Sequence, residues 1–468
     1  MEKEDEMEKR KEKLGGYLKV SYGLADLGFI FMVTMSNTYL LMFYTDVAGI
    51  TAAAAGTLMM VGRIIDSCSP PVIGAVIEKS HMKWGKYRSW LIIGAPLIFV
   101  TNALMFLNNR ISMPAKAVLA CIVYAVFCIS TNIAYTGYTS MNSSLTNDQK
   151  ERVQLSTFRG QGNALGKCLA GFLLIPLITI LGGGKEMNAG GFFLASIVAG
   201  IMCVLLYGNL VWASKGKDIQ SMPGDSGKKD SLKAGEMLGL VLKNRNLMLL
   251  FLTDVTRILS MLVMYAMFPY FFKYVVHDIN GAAPFFGVVN ILAFVGASSV
   301  PFVTRFLSKR NAYITGNLVL AAGMILAILF SSSVTAIIAL ISVGYIGYSW
   351  GNVVNTSMYA DTVDYGEWKT GKNARGLYFS MFQLSIKIAA VFSTAIAGFG
   401  LSMVGYVANT EPTEQVIRGI RVISMGLPAG LLILGAVLLV FFDLSQKKME
   451  KIHEELSQRK AENKQQME

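Results

Sequence analysis

Twelve apolar stretches, each long enough to cross a bilayer, constrain the fold of this chain more than any other feature. A helix needs roughly 20 apolar residues to span a hydrocarbon core. With 53% hydrophobic and 15% charged residues, the chain has more apolar surface than a soluble core of this size could bury. We therefore predict an all-α integral membrane protein with spans at about 20–45, 50–76, 90–108, 114–140, 160–182, 190–213, 247–275, 283–306, 312–331, 334–359, 376–402 and 420–442.

A single long polar segment, 214–246, divides these stretches into six and six. Two six-helix halves joined by a cytoplasmic linker are the plan of the major facilitator transporters, with the substrate site near the middle of the membrane. We expect a central cavity bordered by spans 1, 2, 4, 5, 7, 8, 10 and 11. The predicted domains are an N-terminal half with a charged tail (1–213), the linker (214–246), a C-terminal half (247–442) and a charged cytoplasmic tail (443–468). We interpret this last tail as a solvated or membrane-surface helix.

The distribution of positive charge predicts the orientation. The net charge is +12, but Lys and Arg are concentrated in the tails, in 214–246 and in loops such as "EKSHMKWGKYRS", "TNDQKERVQ", "SKRN" and "DTVDYGEWKTGKNAR". The opposite loop "TDVAGI" has none. By the positive-inside rule both termini are cytoplasmic. The basic residues are therefore expected to set the orientation of the chain in the lipid bilayer, and no nucleic-acid partner is expected.

Ionisable residues inside the spans are the main functional candidates, because burying a charge in the bilayer costs at least a few kcal/mol. Three basic residues near span ends, Lys19, Lys273 and Arg305, are interpreted as side chains that reach the headgroups, an interpretation that also stays open for Arg159. The candidates are Asp26 in span 1, Arg63 and Asp66 in span 2, Arg159 and Lys167 in span 5, Asp254 and Arg257 in span 7, and Lys387 in span 11.

Two of these candidate pairs have the i, i+3 spacing that places both side chains on one helix face. A static ion pair that locks two helices would explain either one, and for Asp254 and Arg257 we leave that interpretation and a functional one equally open. For Arg63 and Asp66 we favour function. The following Pro70-Pro71 removes backbone N–H donors and leaves carbonyls free, as in the broken helices that build ion and substrate sites.

Lys387, in "FSMFQLSIKIAAVF", has no acidic residue in its own span. A buried lysine needs a partner elsewhere, so we expect Lys387 to face the cavity and to pair with Asp66, Asp26 or an anionic group of the substrate. Gln383 lies one turn earlier on the same face.

Several motifs together resemble a known family, the glycoside-pentoside-hexuronide:cation symporters, which includes the melibiose and glucuronide permeases. They are "YGLADLG", "LLMFYTDVAGITAAAAGTLMMVGRIID", "KWGKYRSW", "LTNDQKERVQLSTFR" and "ADTVDYGEWKTG", in register over about residues 18–442. The resemblance implies a cation-coupling site around Arg63 and Asp66. It also implies a sugar site between the halves, with Asp26, Arg159 and Lys387.

The sequence departs from that family's pattern at several carboxylates. The second carboxylate of span 2 is replaced by Pro70, and an aspartate that melibiose permease has in span 4 falls at Tyr135, which becomes a substrate-site candidate. Sodium needs several oxygen ligands at once, and Arg63 and Lys387 oppose a bound metal cation. A single carboxylate can still exchange a proton. We therefore predict coupling to H⁺ in preference to Na⁺, or uncoupled facilitation, with no cofactor and no bound metal.

The predicted function is secondary active symport of a sugar, glycoside or glucuronide across the cytoplasmic membrane by a monomer. The alternative is transport of a non-sugar organic anion or amphiphile, with or without coupling. Trp350, with Tyr345, Tyr348 and Tyr378, could stack on sugar faces, although membrane aromatics more often serve packing. We predict that the protein is not an enzyme, because the spans contain no HExxH, no paired histidines and no Gly-x-Ser-x-Gly.

Overall fold

The computed structural model describes residues 14–80, 82–109, 111–146, 148–184, 187–216, 244–329, 333–371 and 375–467. Over these ranges the regular structure is helical, and twelve helices are long and apolar enough to cross a membrane. The all-α fold with twelve spans is thus confirmed. The charged tail up to residue 13 and most of the predicted linker, 217–243, lie outside the described residues.

The spanning helices, α1 to α12, follow the predicted order. Those of the first six are α1 (Gly16–Met42, continued by a π-helical turn, Phe43–Val47), α2 (Ala52–Lys79), α3 (Arg88–Met105), α4 (Met113–Leu145), α5 (Gln149–Leu181) and α6 (Ala189–Ala213). Those of the second six are α7 (Arg245–Tyr270, with a π-helical turn Phe271–Val275), α8 (Ala282–Val303), α9 (Lys309–Leu329), α10 (Val334–Thr370), α11 (Arg375–Met403) and α12 (Glu414–Arg421, Val422–Gly426 and Leu427–Val440). A final helix, α13, covers Gln446–Met467.

Two predicted span ends were wrong, because helices continue past the apolar stretch. Helix α5 begins eleven residues before the predicted 160, where the Asp148 side chain accepts a hydrogen bond from the Lys150 backbone N–H at 2.9 Å. Helix α10 runs eleven residues past the predicted 359 and ends at Gly371, whose φ of +68° suits glycine. The charged segments between these points were interpreted as loops, but a helix does not end where its apolar residues do.

The chain forms two compact units. The first comprises Met1–Gly227, Tyr265–Asn290 and Thr394–Ile420, and the second comprises Lys228–Met264, Ile291–Ser393 and Arg421–Glu468. The first unit therefore combines α1–α6 with the end of α7, the start of α8, the end of α11 and the start of α12. The division of the chain into two six-helix halves at 214–246 stays a prediction.

In the first unit, glycines allow α1 and α5 to approach very closely. A Cβ atom on Gly162 would lie 1.9 Å from the carbonyl oxygen of Gly23. Helices in lipid associate through this kind of small-residue contact, because lipid supplies no hydrophobic force between them. The crossing sets Asp26, less than one turn after Gly23, against the polar face of α5.

The second unit has a core to which α13 contributes. Met449, Ile452 and Leu456 of α13 are buried in one cluster with Tyr359 and Tyr378. The helix predicted for the tail is present, but the prediction of a solvated or membrane-surface helix was wrong for its apolar side, which packs into the second unit.

Candidate functional site

Asp26 is the most deeply buried acidic candidate of the first unit, with 1% of its surface exposed. Its Oδ2 accepts a hydrogen bond of 3.1 Å from Asn163 Nδ2 on α5. Arg159 and Lys167, one turn to either side of Asn163, interact electrostatically with the Asp26 carboxylate. Asp26 Oδ1 is buried and accepts no hydrogen bond from the described part of the chain. The site thus has one acceptor still to be satisfied.

Tyr135 of α4 belongs to the same region. Its ring stacks on Phe29 with centroids 4.7 Å apart, and its hydroxyl interacts electrostatically with Asp26 and Arg159. We call Asp26, Tyr135, Arg159, Asn163 and Lys167 the Asp26 cluster. It brings together four residues predicted as candidates in three separate spans, and it carries two cations for one carboxylate.

The pair in α2 is looser than its spacing suggested. Arg63 Nη1 lies 3.9 Å from Asp66 Oδ2, and Arg63 Nη2 donates a hydrogen bond to Asn37 Oδ1 on α1. The guanidinium group also lies 5.9 Å from the centre of the Tyr124 ring. Asp66 accepts a hydrogen bond of 2.8 Å on Oδ1 from Asn132 Nδ2 of α4. Arg63 is therefore held by α1 and α4, whereas Asp66 is held by α4.

Pro70-Pro71 does not break α2, contrary to the expectation of a broken helix, because α2 continues to Lys79. The carbonyl that loses its usual helical donor is that of Asp66. Proline has no N–H, so residue 70 cannot donate to the carbonyl of Asp66. That oxygen accepts hydrogen bonds from Asn132 Nδ2 at 3.1 Å and from Ser69 Oγ at 3.4 Å. We call Asp66, Ser69 and Asn132 the Asp66 cluster.

In the second unit, Asp254 and Arg257 are 0% and 2% exposed. The carboxylate accepts hydrogen bonds from Tyr313 Oη at 2.6 Å and Asn355 Nδ2 at 3.0 Å. The guanidinium donates to Asn352 Oδ1 at 2.8 Å and lies 4.9 Å from the centre of the Tyr348 ring. These contacts join α7, α9 and α10, as a static ion pair would.

The remaining candidates of the second unit lie on α10 and α11. Trp350 is half-buried and donates a hydrogen bond of 2.9 Å from Nε1 to Ser299 Oγ. Gln383 is exposed and Lys387 is half-buried. The three tyrosines suggested for sugar stacking are buried, so their rings serve packing: Tyr345, Tyr348 and Tyr378.

One polar cluster of the first unit was not predicted. Asp46, in the π-helical turn that ends α1, pairs with Lys273 at the end of α7 and accepts a hydrogen bond of 2.6 Å from Tyr274 Oη. Tyr406 also donates to Asp46, and Asn409 Nδ2 donates to the Asp46 carbonyl at 2.6 Å. Burial and the Asp46 carboxylate raise the pKa of Tyr406 above its ordinary value, which keeps its hydroxyl a donor. We call these five residues the Asp46 latch.

The Asp46 latch corrects the interpretation of Lys273 as a side chain that reaches the headgroups. Its position near a span end suggested exposure to the interface. The structure instead gives it an acidic partner on α1, 227 residues away in sequence.

Twelve spanning helices with internal charged clusters are the features of a multi-pass membrane transporter, and the fold agrees with solved transporters. The described chain matches a D-xylose-proton symporter with a TM-score of 0.66 and 16% identity, over 92% of this chain and 98% of that one. It matches the nucleoside transporter NupG with a TM-score of 0.65 and 12% identity, over 92% and 100%. The major facilitator fold is thereby confirmed.

The chain belongs to the MFS/sugar transport protein family, whose model matches residues 21–446. It is 30% identical to the isoprimeverose transporter of Lactiplantibacillus pentosus, over 92% of this chain and 88% of that protein. It is 28% identical to the glucuronide carrier protein homolog of Escherichia coli (strain K12), over 94% and 95%. It is 27% identical to a putative sulfoquinovose importer of the same organism, over 94% and 94%. The predicted resemblance is confirmed.

Proposed function

We propose that this protein couples the movement of protons to the symport of a sugar, glycoside or glucuronide across the cytoplasmic membrane. The observation that carries the coupling is the Asp66 cluster, which has a single carboxylate and otherwise only neutral groups. Proton exchange needs no coordination shell, whereas sodium needs several oxygen ligands. Relatives named for isoprimeverose, glucuronide and sulfoquinovose support the substrate class.

We propose that the substrate contacts include Asp26, Tyr135 and Arg159 in the first unit. Asp26 Oδ1 is an acceptor with no described donor, which suits a sugar hydroxyl, and Tyr135 can add a hydroxyl of its own. Trp350, Gln383 and Lys387 are proposed contacts from the second unit. We assign Asp254 and Arg257 to support of the fold, because Tyr313, Asn355 and Asn352 of the second unit hold both side chains in place.

The charge balance of the Asp26 cluster favours a substrate that carries an anionic group. Two cations, Arg159 and Lys167, face one carboxylate there. An acidic sugar such as a uronide or a sulfonated sugar fits this balance better than a neutral one. The same balance supports the second candidate, a non-sugar organic anion.

We also propose that both termini face the cytoplasm, on the positive-inside rule. The described end of the predicted linker, 214–216, and the C-terminal helix α13 carry the expected basic residues. A cysteine placed in 214–246 that reacted with an impermeant reagent in intact cells would contradict this orientation.

Uptake by the purified protein in liposomes tests the coupling. We expect an inward proton gradient to drive accumulation of glucuronide, isoprimeverose or sulfoquinovose, and a sodium gradient at fixed pH to drive none. Asp66→Asn should lose proton-driven accumulation, because the asparagine side chain cannot bind a transferable proton.

Lys387→Met should weaken uptake of anionic sugars in the same assay, because it removes a proposed cationic contact.

Asp443→Asn is the matched control, because the Asp443 side chain is 77% exposed in an ion pair with Lys448. It should transport normally. Sodium-driven uptake at fixed pH that disappears in Asp66→Asn would show the proposed coupling to be wrong, and normal uptake of anionic sugars by Lys387→Met would remove Lys387 from the site.

A further inference from the structure

Three oxygen atoms converge on one nitrogen atom in the Asp66 cluster. Asn132 Nδ2 lies 2.8 Å from Asp66 Oδ1, 2.8 Å from Ser69 Oγ and 3.1 Å from the Asp66 carbonyl oxygen. A carboxylate, a hydroxyl and a backbone carbonyl are the ligand types that a hard cation selects. The backbone carbonyl takes part because Pro70 cannot donate to it.

The orientation of the Asn132 amide follows from its surroundings. Its nitrogen is a donor with two hydrogens, whereas its oxygen only accepts. The reverse orientation would bring the amide oxygen against the carboxylate and carbonyl oxygens, both acceptors. The donor end must therefore face Asp66, where it occupies the point at which the three oxygens meet.

We propose that Asn132 determines the specificity for the coupling ion, by holding its amide nitrogen in the place that a sodium ion would need. The amide contributes hydrogen-bond donors without a net charge. The Asp66 carboxylate is thus oriented and partly compensated, but no coordination shell is left for a metal ion. The residues present do not fit bound sodium, and Asn132 is the reason. This inference rests on the proposed proton coupling and names the residue that enforces it.

A purely structural role for Asn132, in which it only joins α4 to α2, makes a different prediction. Replacement would then change stability equally in every salt. A role in ion specificity predicts instead that replacement creates a response to sodium. Binding to the folded state raises its stability with ligand concentration, so the response can be measured without any sugar.

The experiment compares thermal unfolding of the full-length protein in sodium chloride and in choline chloride at equal ionic strength. The natural protein should unfold at the same temperature in both salts. Asn132→Asp places a second carboxylate at the three oxygens and should give a saturable rise of the unfolding temperature with sodium. Asn142→Asp adds the same charge ten residues further along α4, where Asn142 bonds to Ser156 Oγ at 2.9 Å, and should give none.

A saturable sodium response of the natural protein would overturn the proposal, as would a folded Asn132→Asp variant without one. If Asn132→Asp does not fold, Asn132→Ser replaces the amide by a hydroxyl that can act as a ligand, and the same outcomes apply to it. The sugar-free measurement stays informative even if the proposed substrates are not transported. A failed uptake assay and a failed ion assignment are therefore distinguishable.

Discussion

Replacement of Gly398 by leucine should abolish transport while the protein stays folded. Gly398, on α11, faces Gly56, on α2, within the first unit. A Cβ atom at Gly398 would lie 2.3 Å from the Cα atom of Gly56 and 2.8 Å from the carbonyl oxygen of Ala52. Both atoms belong to the backbone, so no change of rotamer can relieve the collision.

The crossing lies at the same end of the first unit as the Asp46 latch. Gly56 follows the start of α2 by one turn, and Gly398 precedes the end of α11 by five residues. Alternating access requires that contacts closing one end of a transporter break and form again in each cycle. A leucine at position 398 disfavours these contacts, so the protein should stay mostly with this end open and the cycle should stall.

Accessibility of a cysteine at Ala52 measures this effect. Ala52 is buried and lies one turn before Gly56 on the same face of α2. Overpacking costs about 1–3 kcal/mol, which corresponds to roughly a 5- to 150-fold shift of the equilibrium. In a background with the five natural cysteines replaced by serine, Gly398→Leu should increase the labelling rate of Ala52→Cys by about that factor.

Gly208→Leu is the matched control for this prediction. A Cβ atom at Gly208 would meet nothing within 4 Å, so the same substitution should leave both labelling and uptake unchanged. Normal uptake by Gly398→Leu would show that the close crossing of α2 and α11 is not needed for transport.

Asp254→Asn should destabilise the protein more than any other removal of a single charge discussed above. The substitution keeps the shape of the side chain but leaves the Arg257 guanidinium buried without a counter-charge. Breaking a buried ion pair in this way costs about 3–5 kcal/mol. We expect a correspondingly large fall in the free energy of unfolding, measured in detergent without sugar.

Asp443→Asn, which breaks the exposed pair with Lys448, should change stability by less than about 1 kcal/mol. The double variant Asp254→Asn/Arg257→Met should recover part of the loss, because it removes the uncompensated cation. Equal losses in Asp254→Asn and Asp443→Asn would mean that burial of the Asp254 pair has no energetic consequence.

The sequence was sufficient to predict features that depend on composition along one helix. The twelve spans follow from apolar length, and Asp26 and Asp66 stand out because charge is rare within a span. The partners of these residues were missed. Asn163 and Asn132 are neutral amides, and nothing in their local sequence distinguishes an amide that bonds to a carboxylate from one that does not.

Ion pairs between residues far apart in the chain were equally impossible to predict from the sequence. The ion pair of Asp46 with Lys273 joins residues on different helices, and each of them alone is typical of a span end. The continuation of α5 and α10 into charged segments was missed for a related reason. Hydropathy reports where the bilayer ends, whereas the end of a helix depends on caps such as Gly371.

The place of α13 in the second unit has a consequence for biosynthesis. Met449, Ile452 and Leu456 complete a core with Tyr359 and Tyr378, and they are made after all twelve spans. While they are still inside the ribosome, α10 is already synthesised but presents an uncovered apolar surface. Such surface attracts other incomplete chains and quality-control proteins. In a chain that stops before Met449, this apolar surface therefore stays uncovered even after all twelve spans have been inserted.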